Sequence, residues 1–243
     1  MPDGTRVYAV GDIHGRYDVL REMDELIIND YEASGAGLTP TVVYLGDYVD
    51  RGFQSRELLD HFVAHSPIPY QKVFLLGNHD QWFLKFLEGE DVAQSWLRYG
   101  GDATLLSYGI RPNMRQDQAA RMQAMHTEMV EKMPSSHKEF LTSLEYAFAF
   151  GDYFFCHAGV RPDLPLSAQQ DQDLIWIREP FLSATVDYGK IIVHGHTVEE
   201  APAMRKNRIG VDTGAYQTGN LTCVVLEEND IRFLSTGIPT DIA

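Results

Sequence analysis

Cysteine is scarce in this sequence: Cys156 and Cys223 are the only two in 243 residues. Both sit inside apolar runs, YFFC (153–156) and LTCVVL (221–226). Such placement suits buried free thiols in strands and gives no disulfide framework. A cytoplasmic location is the matching expectation. No stretch of about 18 uninterrupted apolar residues occurs, so a membrane-spanning helix is not expected. No basic segment, long apolar core and cleavage site precede the first apolar stretch, Val7–Val10, so no secretory signal is expected either. Basic charge is the scarcer sign, with 20 Lys and Arg against 35 Asp and Glu and a net charge of −15. That balance repels nucleic acid phosphates at long range and argues against a DNA- or RNA-binding surface. It leaves a phosphate substrate open, because bound divalent cations reverse the field locally.

What is present is an alternation. RVYAV (6–10), TVVYL (41–45) and KVFLL (72–76) read as strands rich in β-branched and aromatic residues. Each is followed by apolar residues at helical spacing: Leu20, Met23, Leu26 and Ile27, then ELLDHFV (57–63), then QWFLKFL (81–87). This order predicts βαβ units and a largely parallel sheet at the front of an α/β domain. From about 91 to 143 strand signals are missing, and the spacing predicts a helical insertion. Within it, Met122, Met125, Met129 and Met133 recur at helical spacing, a face expected to pack on its own core. His126 in the same segment reads as solvated. YAFAF (146–150), the Gly151–Asp152 turn and YFFC (153–156) predict a hairpin. IIV (191–193), RIGV (208–211), LTCVVL (221–226) and IRFL (231–234) are expected to complete a second, more antiparallel set. Without an internal repeat or low-complexity linker, the whole of 1–243 reads as one domain.

Five strand ends share one pattern, an apolar run closed at once by Asp, Asn or His flanked by glycine. They are GDIHG (11–15), GDYVDRG (46–52), GNHD (77–80), CHAG (156–159) and HGHT (194–197). Ligands of open α/β sheets bind beyond the carboxyl ends of strands, so these five ends are expected to meet in one crevice. Asp12 and His14 are two apart and would share a face if strand geometry continued. Asp47 adds a carboxylate that can bridge two cations, Asn78 a carbonyl oxygen, and His157 and His196 imidazole nitrogens. Oxygen and nitrogen ligands without thiolate suit manganese, iron or zinc. Two such ions per chain, manganese foremost, can activate a water and clamp phosphate oxygens.

In this order GDIHG, GDYVDRG, GNHD and HAG resemble the phosphoprotein phosphatase family of binuclear metallophosphoesterases, from about Val7 to Val225. The resemblance implies a calcineurin-like β-sandwich flanked by helices, with the site at one edge. It implies Asp12, His14 and Asp47 on a first metal, and Asp47, Asn78, His157 and His196 on a second. By the same resemblance His79 protonates the leaving oxygen, Asp50 partners it, and Arg51 and Arg178 grip the phosphate. A carboxylate beside an imidazole favours the protonated form a general acid needs, and the planar guanidinium fork fits two phosphate oxygens. Taken alone, Arg178 would be read as a surface ion pair with Glu179. Tyr216 is expected to border the substrate, Asp212 to orient a ligand histidine, and His194 to pack. His61, His65 and His137 are expected to be solvated or packed.

GNHD and HAG depart from the GNHE and HGG of eukaryotic members and resemble the bacterial branch. That branch includes protein phosphatases and symmetrical diadenosine tetraphosphate hydrolases. The expected activity is hydrolysis of phosphoserine or phosphothreonine in a phosphoprotein or phosphopeptide, by in-line attack of a metal-bound hydroxide. The alternative substrate is a dinucleoside polyphosphate, for which Trp96, Arg98, Tyr99, Arg111 and Arg115 are candidate contacts. A non-catalytic metal-binding module fits poorly, because His79, Asp50 and both arginines are all present.

Overall fold

A computed structural model describes residues 1–64, 67–115 and 117–237. β1 (Thr5–Val10), β2 (Thr39–Tyr44) and β3 (Gln71–Phe74) pair in parallel, with Thr5 opposite Thr39 and Thr41 opposite Gln71. Parallel neighbours require crossovers. α1 (Tyr17–Ser34) and α2 (Ser55–Ala64) supply them, and α1 buries Leu20, Met23 and Ile27 as the helical spacing predicts. β4 (Ala147–Phe150) and β5 (Tyr153–Cys156) form the expected hairpin, with Phe150 opposite Tyr153.

The second sheet departs from expectation. β6 (Ile191–His194), β7 (Ala203–Met204) and β8 (Arg208–Gly210) join the hairpin in the order β4-β5-β6-β8-β7. Its centre is parallel, β5 with β6 and β6 with β8. β9 (Thr222–Glu227) and β10 (Asp230–Ser235) leave this set and extend the front sheet as β10-β9-β1-β2-β3. The reason lies in β9, buried at five of its six positions. A strand apolar on both faces needs cover on both, and the place beside β1 provides it.

Alternation along the strands then sorts two cores. Val7, Ala9, Val43, Phe155, Val193, Ile209 and Val224 meet between the sheets. Tyr8, Val10, Val42, Tyr44, Cys156 and Cys223 face the helices. The result is the expected sandwich flanked by helices, with both cysteines buried and free. No helix among the described residues is long and apolar enough to cross a membrane.

Between β3 and β4 the described elements are helices: α3 (Asn78–Leu87), α4 (Ala93–Trp96), a turn kinked at Gly100 (Leu97–Gly101), α5 (Asp102–Ser107), α6 (Gln118–Lys132) and α7 (Ser135–Thr142). Met125 and Met129 of α6 are buried, while Met122 and Met133 lie partly buried against the same core. His126 is half-buried against the Phe86 ring with Nε2 3.3 Å from the Leu87 carbonyl, so it is packed and not solvated as expected.

Candidate active site

The motifs converge, though not by strand alternation. β1 ends at Val10, and His14 has φ 48°, in the left-handed region. Asp12 and His14 are brought together because the chain folds onto the loop after β2. The Ile13 and His14 N–H groups both donate to the Asp47 carbonyl, at 3.2 and 2.9 Å, and Gly15 N–H donates to the Tyr48 carbonyl at 2.8 Å. That second loop is fastened to the third by Asp80. Its carboxylate accepts the N–H groups of Asp47, Tyr48 and Gly77 at 2.8, 3.0 and 3.0 Å. Gly77 is required at this approach, because a Cβ there would run into Asp47. Sequence reasoning weighed Asp80 only as a replacement for Glu and missed this fastening. The available signal was an acid three residues beyond Gly77 at a helix start, a capping-box position.

Asp47 stands at the middle. Its Oδ2 lies 3.3 Å from His14 Nε2 and 3.5 Å from His157 Nε2, and its Oδ1 accepts His79 N–H at 2.9 Å. Asn78 Oδ1 is 3.0 Å from His157 Nε2. Two buried triads share this carboxylate: His14, Asp47 and His79, and Asp47, His157 and His196, each with its ligand atoms within 4.8 Å of one another. Asp12 joins neither triad. Both its oxygens take the His196 N–H at 3.1 Å, and its Oδ1 is 4.0 Å from His157 Nδ1. Burial, with Asp212 and Asp47 adding repulsion, pushes the Asp12 carboxyl well above the usual carboxylate range. Burial together with Asp47 pushes Asp80 up to about 8. Burial drives the His14 and His157 imidazoles down, and His196 down to about 2, so all three are neutral lone-pair donors. His14 Nε2 and His196 Nε2 are buried without a hydrogen-bond partner. Crowded carboxylates, neutral imidazoles with free nitrogens and one carboxamide oxygen fit divalent cations of the manganese, iron and zinc kind.

Beside this cluster His79 Nδ1 lies 2.7 Å from Asp50 Oδ2. Burial lowers the His79 pKa, but the Asp47 and Asp50 carboxylates outweigh it and the net shift is upward. Asp50 is itself held by Trp96 Nε1 at 2.9 and 3.0 Å and by the Thr104 hydroxyl at 2.7 Å. Trp96 is fully buried, so this expected stacking candidate instead holds the Asp50 carboxylate in place. Arg51 Nη2 sits 3.0 Å from His79 Nε2, and its guanidinium carbon is 4.5 Å from the Tyr216 ring centroid. Tyr216, in α9 (Ala215–Thr218), also meets the His14 ring at 5.5 Å. Arg178 follows α8 (Asp171–Trp176); it is exposed, and its Nη2 donates to the His196 carbonyl at 3.4 Å. Glu179 accepts from Ser183 and forms no ion pair with Arg178 among the described residues.

The lesser expectations divide. Asp212 accepts the Gly214 N–H at 2.9 Å and bonds Asp12, a carboxylate where a histidine was expected. His194 packs edge-on against Phe181. His61 pairs with Asp24, and His137 lies between Tyr108 and Asp60. His65 lies outside the described residues.

Two features of the surroundings were not legible in the motifs. The Gly100 carbonyl of the kinked turn accepts the Arg51 N–H at 3.0 Å. Gly100 has φ 112°, and a Cβ on it would lie 2.8 Å from Arg51 N. Next to it, Tyr99 is 53% exposed and packs on Trp82 at 5.2 Å between ring centroids. Trp82 in turn meets Trp176 at 4.8 Å and His79 at 5.8 Å. The three rings form an aromatic ledge on the His79 side of the crevice.

The chain belongs to the calcineurin-like phosphoesterase family, whose profile matches residues 5–237. It carries the buried His and Asp groups of a metal-dependent phosphoesterase. It is similar to the asymmetrical bis(5'-nucleosyl)-tetraphosphatase PrpE of Bacillus cereus, 24% identical over 260 residues, covering 95% of this chain and 94% of the relative. The PrpE of Halalkalibacterium halodurans is also 24% identical, over 244 residues, covering 93% and 91%. Among solved structures, one provisionally named a diadenosine tetraphosphatase superposes with a TM-score of 0.66 at 19% identity, covering 96% of this chain and 94% of that one. A cold-active protein-tyrosine phosphatase of Shewanella superposes with a TM-score of 0.59 at 20% identity, covering 98% and 83%. These superpositions show a shared fold.

Cation binding is expected to stabilise the fold, since it offsets the crowding of buried acids. Manganese at about a hundred times its Kd adds about 2.7 kcal/mol, raising Tm by roughly 5–10 °C for a chain of this size. A thermal melt with manganese, and again with excess chelator, reads the shift. Asp47→Asn should abolish most of it, and a native Tm indifferent to manganese would contradict the metal assignment. Gly100→Ala is expected to keep metal content while lowering kcat/KM about tenfold to a hundredfold, because the added Cβ displaces Arg51. Unchanged turnover in that variant would show that the turn does not seat the arginine.

Proposed function

We propose that the protein hydrolyses a phosphoanhydride bond of a dinucleoside polyphosphate such as diadenosine tetraphosphate. The observation supporting this reading is the ledge of Tyr99, Trp82 and Trp176 beside His79. If His79 serves the leaving group, the ledge lies where the leaving nucleotide's base must go, and base–aromatic stacking is worth about 1–3 kcal/mol. A phosphoserine or phosphothreonine side chain offers no ring to it. The names of the relatives agree with this choice over the protein phosphatase expected from the motifs.

In the proposed arrangement Asp12, His14 and Asp47 hold one divalent ion, and Asp47, Asn78, His157 and His196 the other. Bound ions would supply an activated water and offset phosphate charge. Arg51 and Arg178 bracket the phosphate chain. In the present geometry Arg51 donates to His79 Nε2, which requires a neutral imidazole with its proton on Nδ1 toward Asp50. A phosphate oxygen competes for that guanidinium and frees Nε2 to take a proton. The raised pKa then favours the imidazolium, which can protonate the leaving phosphate oxygen. Tyr216 keeps Arg51 over the crevice by its ring contact.

Manganese-loaded protein should be offered diadenosine tetraphosphate and phosphoserine and phosphothreonine peptides, with a chelated control and nucleotides resolved by chromatography. Metal-dependent release of ATP and AMP is the expected result. Two ADP molecules would indicate symmetrical cleavage, and preference for the peptides would restore the protein phosphatase reading. Tyr99→Ala should raise KM for the dinucleotide about tenfold and leave turnover of glycerol 2-phosphate unchanged. Equal loss on both substrates would remove the ledge from base recognition.

A further inference from the structure

On the far side of the kinked turn Leu97–Gly101, between α5 and α6, lies a cavity of about 620 Å³. Small-molecule sites commonly span about 300–1,000 Å³. Its apolar lining comes from Leu97, Leu105, Met122 and Met125. Leu105 and Met125 are buried there, while Leu106 and Met114 leave apolar surface open at the mouth. Around this lining stand three arginines, Arg98, Arg111 and Arg121, and a single carboxylate, Asp102. In a chain with 35 acidic and 20 basic residues this is a local inversion of charge. The guanidinium of Arg121 reaches the Met114 sulfur at 3.8 Å, and none of the three forms an ion pair among the described residues. Sequence reasoning singled out Arg98 and Arg111 as substrate contacts, and the catalytic crevice uses neither.

We propose that this cavity binds a nucleoside diphosphate or triphosphate at a site separate from the metal crevice. Its two halves match such a ligand. Thioether and leucine side chains receive a flat, weakly polar base, and polarizable sulfur packs well on aromatic faces. Guanidinium forks take phosphate oxygens and stack on rings. A fatty acid would bring one negative charge to three cations, and a neutral sugar none. The site also has a route to catalysis. Arg98 lines the cavity, and two residues on the Gly100 carbonyl holds the Arg51 N–H. A ligand that steadies the Leu97–Gly101 turn therefore steadies Arg51, and coupling of this kind is reciprocal. The inference does not depend on the hydrolase's own substrate and would stand for a phosphopeptide enzyme too.

The test uses the manganese-loaded full chain carrying Arg51→Ala and Arg178→Ala, which removes both guanidiniums from the metal crevice and weakens its hold on phosphate. Calorimetric titration with ADP is expected to show binding to this background. Adding Arg111→Ala and Arg121→Ala should weaken it at least tenfold. Arg111→Glu alone, at an exposed position, should do likewise and guards against misfolding of the multiple variant. Pyrophosphate and adenosine are titrated in parallel, and each is expected to bind more weakly than ADP. Absence of ADP binding to the background, or binding indifferent to Arg111 and Arg121, would overturn the proposal. Pyrophosphate binding as tightly as ADP would overturn the base-binding half. Because none of these readings is turnover, failure of the dinucleotide assay would leave them intact.

Discussion

The carboxylate of Asp47 lies buried among four imidazoles, those of His14, His79, His157 and His196, and much of the crevice follows from that one placement. Burial opposes its charge, but the surrounding histidines outweigh burial and hold its pKa down. Burial is the main reason Asp12 and Asp80 are pushed up; the same negative charge adds to both shifts and biases His79 toward the imidazolium. An isolated buried carboxylate would be costly. Among imidazoles it stands where the two buried triads meet, the place from which a carboxylate can serve two cations.

Holding that carboxylate in place requires backbone that ordinary sequence would avoid. His14, Asp47, Asp50, Arg51 and His196 all have positive φ, a conformation that costs on the order of 1–3 kcal/mol per non-glycine residue. The cost is met by hydrogen bonds between loops. Asp80 gathers three amides from two loops, and the Asp47 carbonyl receives two more from the first loop. The sandwich beneath supplies the strand ends, and the loops above are fastened to one another.

This division explains what could be read from the sequence. Strand runs, the hairpin at Gly151–Asp152 and the five motifs are local patterns of a few residues, so spacing and residue type sufficed to place them. Partners chosen across the chain were hidden. Nothing near LTCVVL states that it pairs with β1, more than two hundred residues earlier; its burial on both faces decides that. Trp96 was noted as a ring for stacking, yet its indole N–H is taken by Asp50. Thr104 carried no motif at all, and its role arises because α5 packs against α2 and the loop before it. Likewise Trp82, Tyr99 and Trp176 come from three separate segments and form a surface only after folding.

The turn kinked at Gly100 ties the metal crevice to its surroundings. Three consecutive residues point to three destinations: Arg98 to the cavity, Tyr99 to the aromatic ledge, and the Gly100 carbonyl to Arg51. An α-helix cannot easily deliver that, because a substituted residue at φ 112° would be strained and its Cβ would strike Arg51. The kink puts the Arg51 contact, the Tyr99 ring and part of the cavity wall on one five-residue segment, so a change at any one is felt at the others. A fold whose metal crevice is set by other loops can then alter its substrate by altering this turn, leaving the hydrolytic centre as it stands.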